Sequence, residues 1–214
     1  MAQFYESSIG INPIPTNQFR YIDDIDVDQQ GNIYVVDSWS CVIKKFNSAG
    51  TPIAQFSEPG DEDGQLRNPA SIAVASNGDF YVVERWNHRV QKFNSSGQFI
   101  TKWGSYGTGT NQFQYPDGIA IDSEGNVYIA DVNNHRVSKF NSSGTFLANW
   151  GSFGSTDGQF NHPTDVSIDN QNNIYVADSQ NHRIQKFNNS GQFISKWGLL
   201  GQAITSSKTF ICSC

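Results

Sequence analysis

Three histidines recur at a constant spacing of 47 residues, at positions 88, 135 and 182. Three imidazoles can hold a catalytic zinc ion when all of them reach metal–nitrogen distances of about 2.0–2.1 Å. Each histidine here occupies the same place in a repeated stretch of sequence, so we expect the three to lie on an arc and not at one point. We therefore predict that His88, His135 and His182 belong to a structural repeat motif and hold no metal.

An acidic residue and an arginine flank each of these histidines, at the two ends of a turn-prone segment. The three pairs are Glu84 with Arg89, Asp131 with Arg136, and Asp178 with Arg183. A ring of ion pairs could bind a charged ligand, but the same chemistry in every repeat is what a repeated hairpin needs in order to fold. A partly exposed pair of this kind contributes roughly 0.2–1 kcal/mol to stability. We interpret the pairs as structural. The first repeat lacks the arginine, because Val42 stands opposite Asp37 there.

Two tryptophans occupy turns in which the later repeats have smaller polar residues. Trp39 and Trp86 lie where Asn133 and Gln180 are found. An exposed tryptophan is a good anchor for a protein partner, which makes these two residues the candidate binding site. Packing against a neighbouring repeat is the alternative, and the sequence leaves it open.

No group of residues has the order or spacing of a known catalytic site. A nucleophile elbow, a Ser-His-Asp order and a Cys-His pairing are all missing from the sequence. Four aspartates are placed near the starts of predicted innermost strands without forming an equivalent set: Asp23, Asp24, Asp117 and Asp165. We therefore predict no catalytic residue, no metal site and no cofactor.

The period of 47 residues organises nearly the whole chain, since tyrosine recurs at positions 34, 81, 128 and 175. A fixed period in this range indicates a repeat architecture. In the third repeat, β-branched and alternating stretches predict strands over 117–122, 127–131, 136–140 and 145–150. Tight turns join these strands, and a glycine-rich segment over 151–164 crosses to the next repeat. This wiring is typical of a β-propeller blade.

The repeats resemble NHL repeats, which are named for an Asn-His-Leu consensus. The resemblance rests on Asn87-His88-Arg89-Val90, Asn134-His135-Arg136-Val137 and Asn181-His182-Arg183-Ile184. It covers roughly residues 19–198 and departs from the family's pattern in the first repeat, where Ser40-Cys41-Val42 replaces Asn-His-Arg. The family usually has six blades, whereas this chain supplies four clear units.

The predicted fold class is therefore all-β: a β-propeller of four-stranded antiparallel blades, with four repeats of 47 residues in an open or incomplete ring. The predicted parts are an N-terminal outer strand and crossover (1–18), a degenerate blade 1 (19–65), blade 2 (66–112), blade 3 (113–159), blade 4 (160–198) and an out-of-register tail (199–214).

Composition limits the class of partner. The net charge is −6, and the sequence has no basic run of the kind that indicates nucleic-acid binding. No apolar stretch is long enough to span a membrane, and the N-terminus does not resemble a secretory signal, so we expect a cytoplasmic protein. Open sheet edges favour self-association.

Three functions remain open at this point. The sequence favours a non-enzymatic scaffold that binds a protein or another macromolecule. The first alternative is a propeller lyase or lactonase with a metal near the central channel, because a family of amidating lyases that resembles NHL propellers holds zinc with histidines, although the signatures of that family are not present in this sequence. The second is RNA binding on one face, which some NHL propellers perform.

Overall fold

The computed structural model describes residues 17–198, which form four antiparallel sheets of four strands each. β-branched and aromatic residues fill the strands, and polar turns separate them. The strands are, in chain order, β1 Ile22–Val27, β2 Ile33–Asp37, β3 Val42–Phe46, β4 Pro52–Phe56, β5 Pro69–Val74, β6 Phe80–Glu84, β7 Arg89–Phe93, β8 Phe99–Trp103, β9 Pro116–Ile121, β10 Val127–Asp131, β11 Arg136–Phe140, β12 Phe146–Trp150, β13 Pro163–Ile168, β14 Ile174–Asp178, β15 Arg183–Phe187 and β16 Phe193–Trp197. Each sheet is one blade, as the repeat period predicts.

The register within each blade is that of a meander of hairpins. In blade 3, the order is β9-β10-β11-β12, and the strands begin and end within one residue of the predicted positions. Asp131 lies opposite Arg136 in the ladder, and Asp37 lies opposite Val42 in blade 1. The hairpin pairing inferred from the sequence is therefore confirmed.

The turn between the first and second strands of a blade depends on one residue with positive φ. In blade 3 this residue is Gly125, with a φ of +81°. The side chain of Asp122 fixes the turn by accepting hydrogen bonds from the backbone N–H groups of Glu124 and Asn126, at 2.9 and 2.8 Å. In blade 4 the same position is taken by Asn172, with a φ of +59°, and asparagine is among the few non-glycine residues that tolerate this conformation.

The hydrophobic core is divided among the interfaces between blades. One cluster joins blades 1 and 2, a second joins blades 2 and 3, and a third joins blades 3 and 4. The innermost strands β1, β5, β9 and β13 line a central channel and pack on one another in that order. β13 and β1 do not pack on each other in this way, so the four blades form an open ring.

One end of the ring carries all of the longer loops. Because neighbouring strands are antiparallel, three kinds of segment lie at the same end of the ring. These are the starts of the innermost strands, the turns between the second and third strands, and the crossovers. We call this end the crossover face: the turns 38–41, 85–88, 132–135 and 179–182, and the crossovers 57–68, 104–115 and 151–162.

The predictions for the two ends of the chain lie outside the described residues. These are the tail over 199–214 and all but residues 17 and 18 of the N-terminal outer strand and crossover. No helix within residues 17–198 has the length and apolar character needed to cross a membrane.

Candidate functional site

The acidic member of each hairpin pair is buried beneath the crossover face. Asp131 is 0% exposed. It accepts hydrogen bonds from the backbone N–H of Gln114 at 2.7 Å, from the side-chain amide of Asn134 at 2.7 Å and from Nε of Arg136 at 2.9 Å. Glu84 and Asp178 make the equivalent bonds in blades 2 and 4. These acids hold the start of a blade against its own hairpin.

The arginine of each pair holds the crossover in place. Arg136 donates to the backbone carbonyls of Thr108, Gly109 and Gln112 at 2.9, 2.8 and 2.7 Å. With the bond from Nε to Asp131, each of its three nitrogens therefore donates to a partner within the protein. The magnitude given above for a partly exposed pair does not apply here, because the carboxylate is fully buried and breaking the pair would leave several polar groups unsatisfied.

Blade 1 keeps the buried acid but replaces the arginine with a lysine. Asp37 is 0% exposed, and its carboxylate lies 3.5 Å from Nζ of Lys44, two residues after the expected partner position Val42. The backbone N–H groups of Arg20 and Tyr21 donate to the same carboxylate, each at 3.2 Å. No sequence pattern indicated this substitute cation, because Lys44 is not in the register of the arginines.

Two of the three repeated histidines join the turn of one blade to the start of the next blade. Nδ1 of His88 accepts a hydrogen bond from the backbone N–H of Tyr115 at 3.2 Å, and Nδ1 of His135 accepts one from that of His162 at 3.1 Å. Burial lowers the pKa of His88 and of His135, and for His135 the charge of His162 adds to the effect. A lowered pKa favours the neutral ring that can accept at Nδ1. His182 is exposed on blade 4.

Histidines and acids do not combine into a metal site in the part of the chain that is described. No group of three or more His, Cys, Asp or Glu side chains among residues 17–198 is arranged to hold a metal ion.

Both candidate tryptophans are exposed on the crossover face. Trp39 is 72% exposed and Trp86 is 58% exposed, so neither ring is packed between blades. The guanidinium of Arg67 lies 5.9 Å from the centre of the Trp86 ring, within the range of a cation–π contact. The two tryptophans are on adjacent blades, in equivalent turns.

Next to Trp39, residues from blades 1, 2 and 3 converge at the mouth of the central channel. Nη2 of Arg85 lies 2.7 Å from Oδ1 of Asp117 and 3.3 Å from Oδ1 of Asp23. Burial raises the pKa of Asp117, although the charge of Arg85 opposes this effect, and the charges of Asp23 and Asp24 add to it. The four aspartates, which do not form a single equivalent set in sequence, line one small cavity of about 190 Å³ together with Arg85.

A larger opening adjoins this cavity on the side of blade 1. We call it the mouth cleft; it has a volume of about 400 Å³ and is lined by Tyr21, Asp23, Ser38, Trp39, Asn68 and Arg85. It combines two exposed aromatic rings with a carboxylate and a guanidinium. Such a cleft can bind an apolar group and a hydrogen-bonding or cationic group side by side.

Sequence analysis did not identify Arg85 and Tyr21 as candidate binding residues, although a signal for Arg85 was present. The positions equivalent to Arg85 in the other blades are occupied by Ser38, Val132 and Ser179. A residue that differs from its counterparts is not required by the fold of a blade. Variation among equivalent positions at the channel mouth could therefore have indicated this site.

Exposed aromatic side chains also lie on the crossover face outside the mouth cleft. Tyr106, Tyr115 and Phe153 are 63%, 45% and 67% exposed. The His88 ring contacts both tyrosines, with centroids 5.0 and 4.9 Å away, and the His135 ring contacts Phe153 at 4.9 Å. The histidines thus hold in place aromatic rings that face solvent.

Comparison with known proteins identifies the repeat. The family model for the NHL repeat matches residues 66–93, 113–140 and 160–187. No curated protein matches the chain.

Solved structures with the same architecture are propellers of low sequence identity. A streptogramin B lyase is 18% identical, with a TM-score of 0.67 over 85% of this chain and 56% of its own. A catalytically inactive virginiamycin B lyase from Staphylococcus aureus with quinupristin is 16% identical, with a TM-score of 0.67 over 88% of this chain and 59% of its own. The WD40 repeats of RRP9 are 12% identical, with a TM-score of 0.67 over 86% of this chain and 52% of theirs. The chain therefore spans just over half the length of these structures.

Proposed function

We propose that this chain, which belongs to the NHL-repeat β-propeller family, is a non-enzymatic scaffold that binds a protein partner on its crossover face. The observation that carries the proposal is the exposure of large aromatic rings there, led by Trp39 and Trp86. Burying such rings against a partner is favourable, at roughly 25 cal/mol for each Å² of apolar surface removed from water.

The residue types on this face are those that dominate the energetics of protein interfaces. Tryptophan, tyrosine and arginine are enriched among hot spots, and the mouth cleft brings together Tyr21, Trp39 and Arg85. Arg85 is held by two carboxylates, so its position is fixed before a partner arrives. Preorganised side chains lose less conformational entropy on binding.

Charge at the channel mouth favours a basic residue in the partner. Four aspartates share the small cavity with a single arginine, and the whole chain has a net charge of −6. A lysine or arginine of the partner would complement this excess of carboxylates, whereas the phosphates of RNA would be repelled. We therefore propose a protein segment in which a basic residue adjoins an aromatic or aliphatic residue.

The similarity to streptogramin B lyase supports the propeller architecture and not the chemistry of this site. At 18% identity it shows the fold alone, and one propeller fold hosts many unrelated functions. The contacts of the three acid–arginine pairs explain their repetition without a reaction, which favours binding over catalysis.

The test is a selection of peptides from a random library displayed on phage, with the purified chain as bait. We expect enriched peptides to combine a basic residue with an aromatic or aliphatic neighbour. Trp39→Ala should weaken their binding at least tenfold, which corresponds to about 1.4 kcal/mol. The matched control is Leu147→Ala, because Leu147 is 48% exposed on outer strand β12 of blade 3; it should leave affinity unchanged. Peptides that bind both variants equally well would contradict the proposal.

A further inference from the structure

At each of the three interfaces between blades, an aromatic residue in the outer strand of one blade packs on a glycine of the following blade. A Cβ placed on Gly144 of blade 3 would lie 2.6 Å from Cε3 of Trp103 of blade 2. A Cβ on Gly191 of blade 4 would lie 2.7 Å from Cδ2 of Trp150 of blade 3. Phe56 of blade 1 takes the same place against Gly97 of blade 2. Because a real Cβ cannot come so close, the glycine and the aromatic ring form a fitted contact.

Each end of the open ring carries one half of this contact without the other half. Trp197 is the equivalent of Trp103 in blade 4, and it is 46% exposed where Trp103 is 5% exposed. Gly50 is the equivalent of Gly144 in blade 1, and a Cβ built on it meets no atom of residues 17–198 within 4 Å. Blade 4 therefore presents the ring, and blade 1 presents the empty place.

The remaining residues of the two end faces show the same pattern. On blade 4, Ile184 is 39% exposed, whereas the equivalent Val90 and Val137 are 0% exposed. Blade 4 thus has an apolar surface of the kind that blades 2 and 3 bury against their following neighbours.

Blade 1 has the complementary surface. Ile25 is 58% exposed, whereas the equivalent Ile72 and Ile119 are 3% and 6% exposed. Phe19 is 36% exposed, and its equivalent Phe113 is 0% exposed. These positions are the ones that later blades bury against their preceding neighbours.

We infer that the two end faces dock a second copy of this chain head to tail, with Trp197 of one copy on Gly50 of the other. The second copy is the occupant that offers the equivalents of every residue already seen to pack at the three internal interfaces. Contact in both directions between two copies would place eight blades in a ring, which lies within the usual range of about four to eight blades. If the rotation does not close, the same contact extends into longer oligomers.

The pairing is between unlike faces and not between two copies of the same face. A symmetric contact of blade 4 with blade 4 would put Trp197 against Trp197 and leave Gly50 unused. The geometry of the internal interfaces provides no model for such a contact.

The first measurement is the solution mass of the intact chain by analytical ultracentrifugation over a dilution series at micromolar concentrations. We expect a dimer or a larger assembly that dissociates on dilution. A monomer throughout the series would overturn the inference.

The second measurement distinguishes head-to-tail docking from other modes of association. Trp197→Ser damages the blade 4 face, and Ile25→Glu damages the blade 1 face, so each variant alone should have a dissociation constant raised at least tenfold. An equimolar mixture should recover association, because the mixture still contains one intact face of each kind. Leu147→Ser is the matched control on an outer strand of blade 3 and should associate like the parent. The inference fails if association survives in either variant alone or if the mixture does not recover it.

Discussion

Replacing Asp131 with alanine tests the interpretation that the acid–arginine pairs are structural. The carboxylate of Asp131 is fully buried and accepts three hydrogen bonds, from Gln114, Asn134 and Arg136. Removal leaves these donors, including a guanidinium whose side chain is only 11% exposed, without their partner. Breaking a buried ion pair on one side is destabilising by roughly 3–5 kcal/mol. This is several times the value expected for a partly exposed pair.

An exposed ion pair of the same protein provides the matched control. Nζ of Lys102 lies 2.5 Å from Oδ1 of Asp63, and the two side chains are 42% and 54% exposed. Asp63→Ala should therefore lower the free energy of unfolding by no more than about 1 kcal/mol. The shorter distance in this control pair makes the comparison a test of burial and not of proximity.

The assay is urea unfolding followed by tryptophan fluorescence and by circular dichroism, so that a departure from a two-state transition can be seen. Asp131→Asn should give an intermediate loss of stability, because the amide oxygen can still accept while the charge is gone. Equal losses for Asp131→Ala and Asp63→Ala would refute the reasoning. Such a result would mean that Asp131 does not hold the start of blade 3 against its hairpin.

Two further predictions concern backbone conformation and pH. Gly144→Ala should destabilise the protein more than Gly158→Ala in the same urea assay: both glycines have positive φ, at +83° and +80°, but only Gly144 would place its new Cβ against Trp103. Equal losses of unfolding free energy in the two variants would show that backbone strain at positive φ, and not the contact with Trp103, decides the effect. Burial holds the pKa of His88 below its ordinary value of about 6.5, so the folded state binds a proton less readily than the unfolded state. The stability that depends on neutral His88 is therefore complete above about pH 6.5 and is lost as the pH falls through the folded-state pKa. His88→Asn should reduce this loss of melting temperature on acidification, and an unchanged pH dependence would contradict the assignment.

Local features of this protein were determined by the sequence alone. The spacing of Tyr34, Tyr81, Tyr128 and Tyr175 defined the repeat, and the alternation within each repeat placed the strands of blade 3 to within one residue. The hairpin partners Asp131 and Arg136 also followed from sequence, since they are five residues apart at the ends of one turn. Hairpin geometry depends on short-range contacts, which the order of residues specifies directly.

Burial was decided only by the tertiary structure. The sequence does not show whether Asp131 is exposed, and it is in fact fully buried, because a crossover from an earlier part of the chain covers it. Trp103 and Trp197 are in equivalent sequence contexts, but one is 5% and the other 46% exposed. The difference depends on packing against a neighbouring blade, as Trp103 packs on Gly144 of blade 3, and no property of the residue itself carries that information.

Which residues meet at the channel mouth likewise depends on how the blades are arranged around the central axis. Arg85 is 62 residues from Asp23 and 32 residues from Asp117, and the three meet only because the innermost strands of successive blades lie side by side. Sequence analysis placed the aspartates near the starts of innermost strands, but it could not show that they lie close to one another and to Arg85 in space. Contacts across such separations depend on the rotation between blades, which is set by the packing of the apolar clusters between them and cannot be obtained from the pattern within one blade.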